Sequence, residues 1–188
     1  MAADKYDIIM IGGSAGSLHV ISELIDALPE SFQTPVVVVM HRLRNVQSEM
    51  TRLVSDKRRL KEPEDKEFIA AGTMYLAPQN YHLMVEADKS FALDYSELVN
   101  YSRPSIDVSF QSTAPVYESR ALVILLSGAN KDGAAGVASV LEHGGTALVQ
   151  RPDLAEYKSM PEAALRMNSN AQGLSITEMI SFIKDNCK

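Results

Sequence analysis

The chain has 188 residues, 46% hydrophobic and 22% charged, with a formal net charge of −6. That balance fits one globular domain with a substantial core and excludes a disordered chain. The acidic excess argues against a general nucleic-acid binder, and a single cysteine, Cys187, excludes a disulfide framework or cysteine metal site within one chain.

The N-terminus lacks the basic start and long apolar core of a signal peptide, and no apolar run reaches membrane-spanning length. A soluble, cytoplasmic protein without membrane insertion is expected. The first element is an apolar run from Tyr6 to Ile11, read as a strand, ending in Gly12-Gly13-Ser14-Ala15-Gly16. Leu18, Ile21, Leu24, Ile25 and Leu28 follow at helical spacing, and Pro29 closes the segment. Gly12 to Gly16 matches G-x-S-x-G, the nucleophile-elbow pattern, in which small neighbours let a serine stand clear on a sharp turn. Two other readings fit the same residues. Ser14 is also a plausible helix N-cap. Strand, glycines and helix also open a dinucleotide fold, but Ser14 and Ser17 stand where its second and third glycines belong. The ribose-binding acid is missing too, because the second strand ends in Met40-His41.

Pro35 to Met40, with four consecutive valines, predicts a strand buried on both faces, as in a parallel sheet covered by helices. Met50, Leu53 and Val54 then mark one face of a helix, with Asn45 or Ser48 as its cap. Lys57 to Lys61 is a basic cluster, read as a solvated face. Phe68 to Ala70, Thr73 to Ala77, Tyr81 to Glu86 and Ser90 to Leu93 predict short strands forming a meander or hairpin set attached to the main sheet. Ser105 caps a helix with Asp107 in its first turn, running to about Glu118. Ala121 to Leu126 is another apolar strand, followed by the loop Ser127 to Gly133 and a helix stopped at Gly144-Gly145. Thr146 to Val149 is a strand, Met160-Pro161-Glu162 opens a helix with proline in its first position, and a last helix runs from about Thr177 to Asp185. This alternation predicts an α/β fold, a three-layer α/β/α sandwich with a mostly parallel, Rossmann-like sheet.

Ligands in such sheets bind beyond the carboxyl ends of the strands. Ser14, His41 and Asp132 all fall at such ends. A serine hydroxyl needs a base to take its proton, a histidine does this near neutral pH, and a carboxylate fixes the imidazole tautomer. Each also has an ordinary explanation: His41 as a polar residue at a strand end, Asp132 as the N-cap of the helix after it. His19, His82 and His143 show no ligand spacing, so neither a metal site nor another cofactor is expected. His19 is expected to face solvent.

Taken together, several motifs resemble the catalytic domain of the chemotaxis protein-glutamate methylesterases (CheB). They are Ile11 to Gly16, His41, Ala71-Gly72-Thr73-Met74-Tyr75-Leu76-Ala77-Pro78, Arg103-Pro104-Ser105-Ile106-Asp107, Ser127-Gly128 with Asp132 to Gly136, and Met160-Pro161-Glu162-Ala163. The resemblance runs from Ile8 to about Leu165. It implies a serine esterase that hydrolyses γ-glutamyl methyl esters on the cytoplasmic helices of chemoreceptors, and in many members deamidates receptor glutamines. Ser14 matches the nucleophile, His41 the base and Asp132 the supporting acid. Backbone amides near Ala15 and Ala129 would hold the oxyanion, and Arg42, with Arg44 and Lys131, would flank the pocket mouth.

The sequence departs from the family in three places. Members usually carry an N-terminal receiver domain, whereas this chain starts a few residues before its first strand, so a single catalytic domain over 1–188 is expected, with its regulatory partner unidentified. The loop before the acid, commonly Gly-Met-Gly-x-Asp, is Gly128-Ala129-Asn130-Lys131-Asp132. Ser17 replaces a glycine that usually follows Gly16. The competing reading is a catalytically weak or inactive CheB-like module that binds within a signalling complex.

Overall fold

A computed structural model describes residues 5–41 and 59–187. The predicted helix around Met50 to Val54, and Arg42, Arg44, Lys57 and Arg58, lie outside the described residues.

Among the described residues, β1 (Ile8–Gly13), β2 (Val36–Met40), β3 (Met74–Leu76), β6 (Ala121–Leu125), β7 (Thr146–Gln150) and β8 (Gln172–Leu174) form one parallel sheet. Their order is β3-β2-β1-β6-β7-β8. The central strands are buried along their whole length, which explains why they read as unbroken apolar runs. Alternate residues serve opposite faces. Ile9, Ile11, Val36, Val38, Leu122 and Ile124 pack with α1 (Leu18–Asp26) and α5 (Ile176–Asn186). Ile8, Met10, Val37, Val39, Val123 and Leu125 pack with α2 (Ile106–Tyr117), α3 (Ala134–Glu142) and α4 (Ser159–Met167). This is the expected three-layer α/β/α sandwich. No described helix is long and apolar enough to cross a membrane.

The segment between β2 and α2 departs from the meander expected of it. Met74–Leu76 joins the large sheet, parallel to Val36–Val38, because all three of its residues are apolar and buried. β4 (His82–Val85) and β5 (Phe91–Asp94) make an antiparallel hairpin, and Phe68 forms an isolated bridge to Ser90. The hairpin belongs to α2: Ser109 Oγ donates to Leu83 O at 2.7 Å, and Val85 N donates to Ser112 Oγ at 3.0 Å. Lys61 of the basic cluster lines the outer edge of β3, with its ammonium 2.7 Å from Glu67, while Arg59 is exposed. Pro161 is the third residue of α4 rather than the first, still within the turn whose N–H groups need no helical partner.

The strand order reverses at β1: β2 and β3 extend to one side, β6 to β8 to the other. The carboxyl end of β1 is therefore the topological switch point, where open α/β sheets place their ligands. Ser14 stands there.

Candidate active site

Gly13 pairs with Met40, so Ser14 and His41 are the first residues past the paired ends of neighbouring strands. Adjacent strands lie about 4.8 Å apart, and His41 N–H approaches Gly13 O at 3.4 Å. On the other side, Ser14 N–H donates to Ser127 O at 2.9 Å, which ties the elbow to the end of β6. The cap reading of Ser14 is not what the structure has. Ser17 occupies the N-cap of α1, and its hydroxyl donates to Ser14 O at 2.7 Å. Ser14 is half-buried, and its hydroxyl has no hydrogen bond among the described residues. Gly16 takes φ +74°, and a Cβ there would lie 2.7 Å from Glu156 Cβ, so the turn requires glycine.

His41 Nε2 lies 2.7 Å from Asp132 Oδ2. Asp132 is fully buried, yet it does not cap the helix that follows it: Gly133, at φ +94°, is the N-cap of α3. Its carboxylate instead crosses to the N-terminus of α2, accepting from Ile106 N at 2.7 Å, Asp107 N at 3.1 Å and the capping hydroxyl of Ser105 at 2.8 Å. Asn100 Nδ2 adds a fourth donor at 2.9 Å. Burial alone would raise this carboxyl, but hydrogen bonds from His41, Ile106 N–H, Asn100 and Asp107 N–H outweigh it and hold Asp132 down at about 2. An ionised carboxylate only accepts, so the Nε2 of a neutral His41 carries its proton and Nδ1 is left as the basic nitrogen. Nδ1 is the ring nitrogen nearer the main chain, which runs beside Ser14.

Three supporting residues were not singled out from the sequence for this role. Asn100 Nδ2 also donates to Asp107 Oδ2 at 2.8 Å, bridging two buried carboxylates. Burial, with the charge of Asp132, pushes Asp107 up despite the Gly136 N–H and Asn100 donors. His82, buried beneath the site, accepts Ser105 N–H on Nδ1 at 3.1 Å, and its Nε2 meets Glu97 O at 2.9 Å. Asn130, in the loop before the acid, accepts Asp132 N–H on Oδ1 at 3.0 Å.

Ala15 and Ala129 flank Ser127, whose hydroxyl donates to Ala15 O at 2.8 Å; Ala129 is exposed at the rim. Neither N–H of these alanines meets an acceptor among the described residues. Arg42 cannot be placed against them, lying outside the described residues. His19 is exposed on α1, as expected, and His143 bonds Ser139 O at the surface. Among the described residues, no group of three or more His, Cys, Asp or Glu stands close enough to hold a metal ion.

The CheB methylesterase family profile matches residues 9–183. A relative in Leptospira interrogans, provisionally named a protein-glutamate methylesterase/protein-glutamine glutaminase, is 40% identical over 177 residues, covering 93% of this chain and 92% of its own. A Thermotoga maritima protein carrying the same name in full is 31% identical over 84% of this chain, which spans 47% of that protein. The crystal structure of the Thermotoga maritima CheB methylesterase catalytic domain superposes with a TM-score of 0.89 at 28% identity, over 96% of this chain and 98% of that one. With the profile spanning all but the two ends, the chain belongs to the CheB methylesterase family.

Proposed function

We propose that this protein is a serine hydrolase that removes methyl esters from glutamate side chains of chemoreceptors, using Ser14, His41 and Asp132. Ser14 Oγ attacks the ester carbonyl while its proton passes to His41 Nδ1. The oxyanion is held by the N–H groups of Ala15 and Ala129. Losing one such donor typically costs ~100–1,000-fold in rate. When the carbonyl re-forms, the C–O bond to the methoxy group breaks and His41 returns the proton, releasing methanol. A water, deprotonated by His41, then attacks the acyl-serine, and glutamate and free Ser14 are regenerated. Asp132 stays ionised throughout and stabilises the imidazolium.

The observation that carries this reading is the 2.7 Å contact of His41 Nε2 with a buried, ionised Asp132, beside a serine on a glycine elbow. A degraded, non-catalytic module would have no need of an acid held by so many donors. The same acyl chemistry reaches a glutamine side chain, with ammonia as leaving group. The cytoplasmic helices of methyl-accepting receptors are the proposed partners, and the cytoplasm the proposed location.

Methanol release from methylated receptor, with Ser14→Ala as control, tests the assignment. Activity well above the control supports it; wild-type release no higher than that of Ser14→Ala removes it.

A further inference from the structure

Asn100 and Tyr101 are the central residues of a two-residue turn. Val99 and Ser102 exchange backbone hydrogen bonds across it, at 3.2 and 3.0 Å. Both central residues have positive φ, +50° and +63°, the sign pattern of a type I′ turn, whose second position favours glycine. Asparagine tolerates this region, and Asn100 uses it to aim its amide at Asp107 and Asp132. A tyrosine there is strained, as are Lys66 and Lys89 at φ +65°, and residues strained in this way cluster at catalytic and binding sites. The Tyr101 side chain is 95% exposed, so packing does not account for it.

We propose that Tyr101 is a substrate-docking residue, holding the polypeptide that carries the ester while that ester reaches Ser14; this rests on the esterase reading above. Continuity with the site is the argument for this occupant. Through Asn100 and Asp132, the Tyr101 backbone stands no more than about 15 Å from His41 Nε2, as summed from bonded and hydrogen-bonded spacings. That equals roughly ten residues of helix. The turn is therefore close enough to the site for one short polypeptide segment to touch both. The neighbouring surface suits the same contact. Tyr95 is exposed, with the Arg103 guanidinium 3.8 Å from its ring centroid and Tyr81 at 5.6 Å, and Leu98 is exposed between them in sequence. Tyrosine and arginine dominate the contacts that hold protein partners. Such a surface suits a polypeptide rather than a small ester.

The test compares Tyr101→Gly, Tyr101→Asn and Tyr101→Phe on methylated receptor and on p-nitrophenyl acetate. Glycine and asparagine both accept the backbone angle. They are expected to raise KM for receptor roughly 10-fold with hydrolysis of the small ester unchanged, while Tyr101→Phe stays near wild type. Tyr101→Gly is also expected to melt a few degrees higher, by relief of strain. Receptor and small-ester rates that fall together, or a receptor KM that does not move, would overturn the proposal. Binding of the receptor cytoplasmic fragment to Ser14→Ala, with and without Tyr101→Gly, reads docking without turnover. Weaker binding supports docking even if the esterase reading fails, and equal binding rejects docking even if that reading stands.

Discussion

Asn100 Nδ2 lies 2.9 Å from Asp132 Oδ1 and 2.8 Å from Asp107 Oδ2, so one amide nitrogen serves two buried carboxylates. Like charges this close disfavour joint ionisation unless donors offset the repulsion. Asn100→Gly keeps the positive φ and removes only the amide. The variant is expected to lose about 1–3 kcal/mol of stability. Its acid loss of stability should begin at higher pH than in the wild type, because the carboxylate pair then titrates higher. Denaturant titrations across acid pH check both; an acid midpoint that stays in place rules out the electrostatic role.

Asp132 gives a second prediction, in acid. Its folded-state value of about 2 lies below the ordinary 3.8. The stability it contributes is therefore fully present above pH 4 and is lost as pH falls through 2. The expected loss is on the order of 2 kcal/mol. Asp107, pushed the other way, opposes folding while ionised and relieves that cost on protonation. Asp132→Asn is expected to be less stable at neutral pH and to show a flatter dependence between pH 4 and pH 2. Denaturant titrations of both proteins across that window measure the difference.

Ser17 and Gly13 form a coupled pair. A Cβ on Gly13 would sit 2.5 Å from Ser17 Oγ and 2.7 Å from Ser17 Cβ, inside contact distance. Gly13→Ala must displace the first turn of α1 and the adjoining Ser14, and is expected to cut kcat at least ~10-fold, as small misplacements of reacting groups do. In a Ser17→Gly background the clash disappears and the loss should shrink. A double-mutant cycle on kcat and Tm reads this coupling; strict additivity would contradict the packing.

The layered architecture was legible because β1, β2 and β6 are apolar at every position, a pattern peculiar to strands covered on both faces. The positions of Ser14, His41 and Asp132 beyond the sheet were legible because each follows such a strand directly or in the next loop. What local reading missed is tertiary. Asp132 precedes α3 and looks like its cap, yet its partners are the α2 amides, 25 and 26 residues away in sequence. Asn100 and His82 sit in a segment whose fold depends on packing against α2, and neither belongs to a recognisable local pattern. Met74–Leu76 was legible as a strand but not as a member of the large sheet, because three residues carry too little periodicity to separate an edge of that sheet from the hairpin beside it.

The central claim is that the Ser14 hydroxyl is activated by an imidazole whose far nitrogen is fixed by Asp132. Intact-mass and peptide mapping after exposure to a fluorophosphonate probe tests it most directly. The account predicts a single phosphonyl adduct on Ser14, formed far more slowly in His41→Ala and Asp132→Asn and absent in Ser14→Ala. An adduct on another residue, or labelling of Ser14 that is as fast without His41, would contradict it.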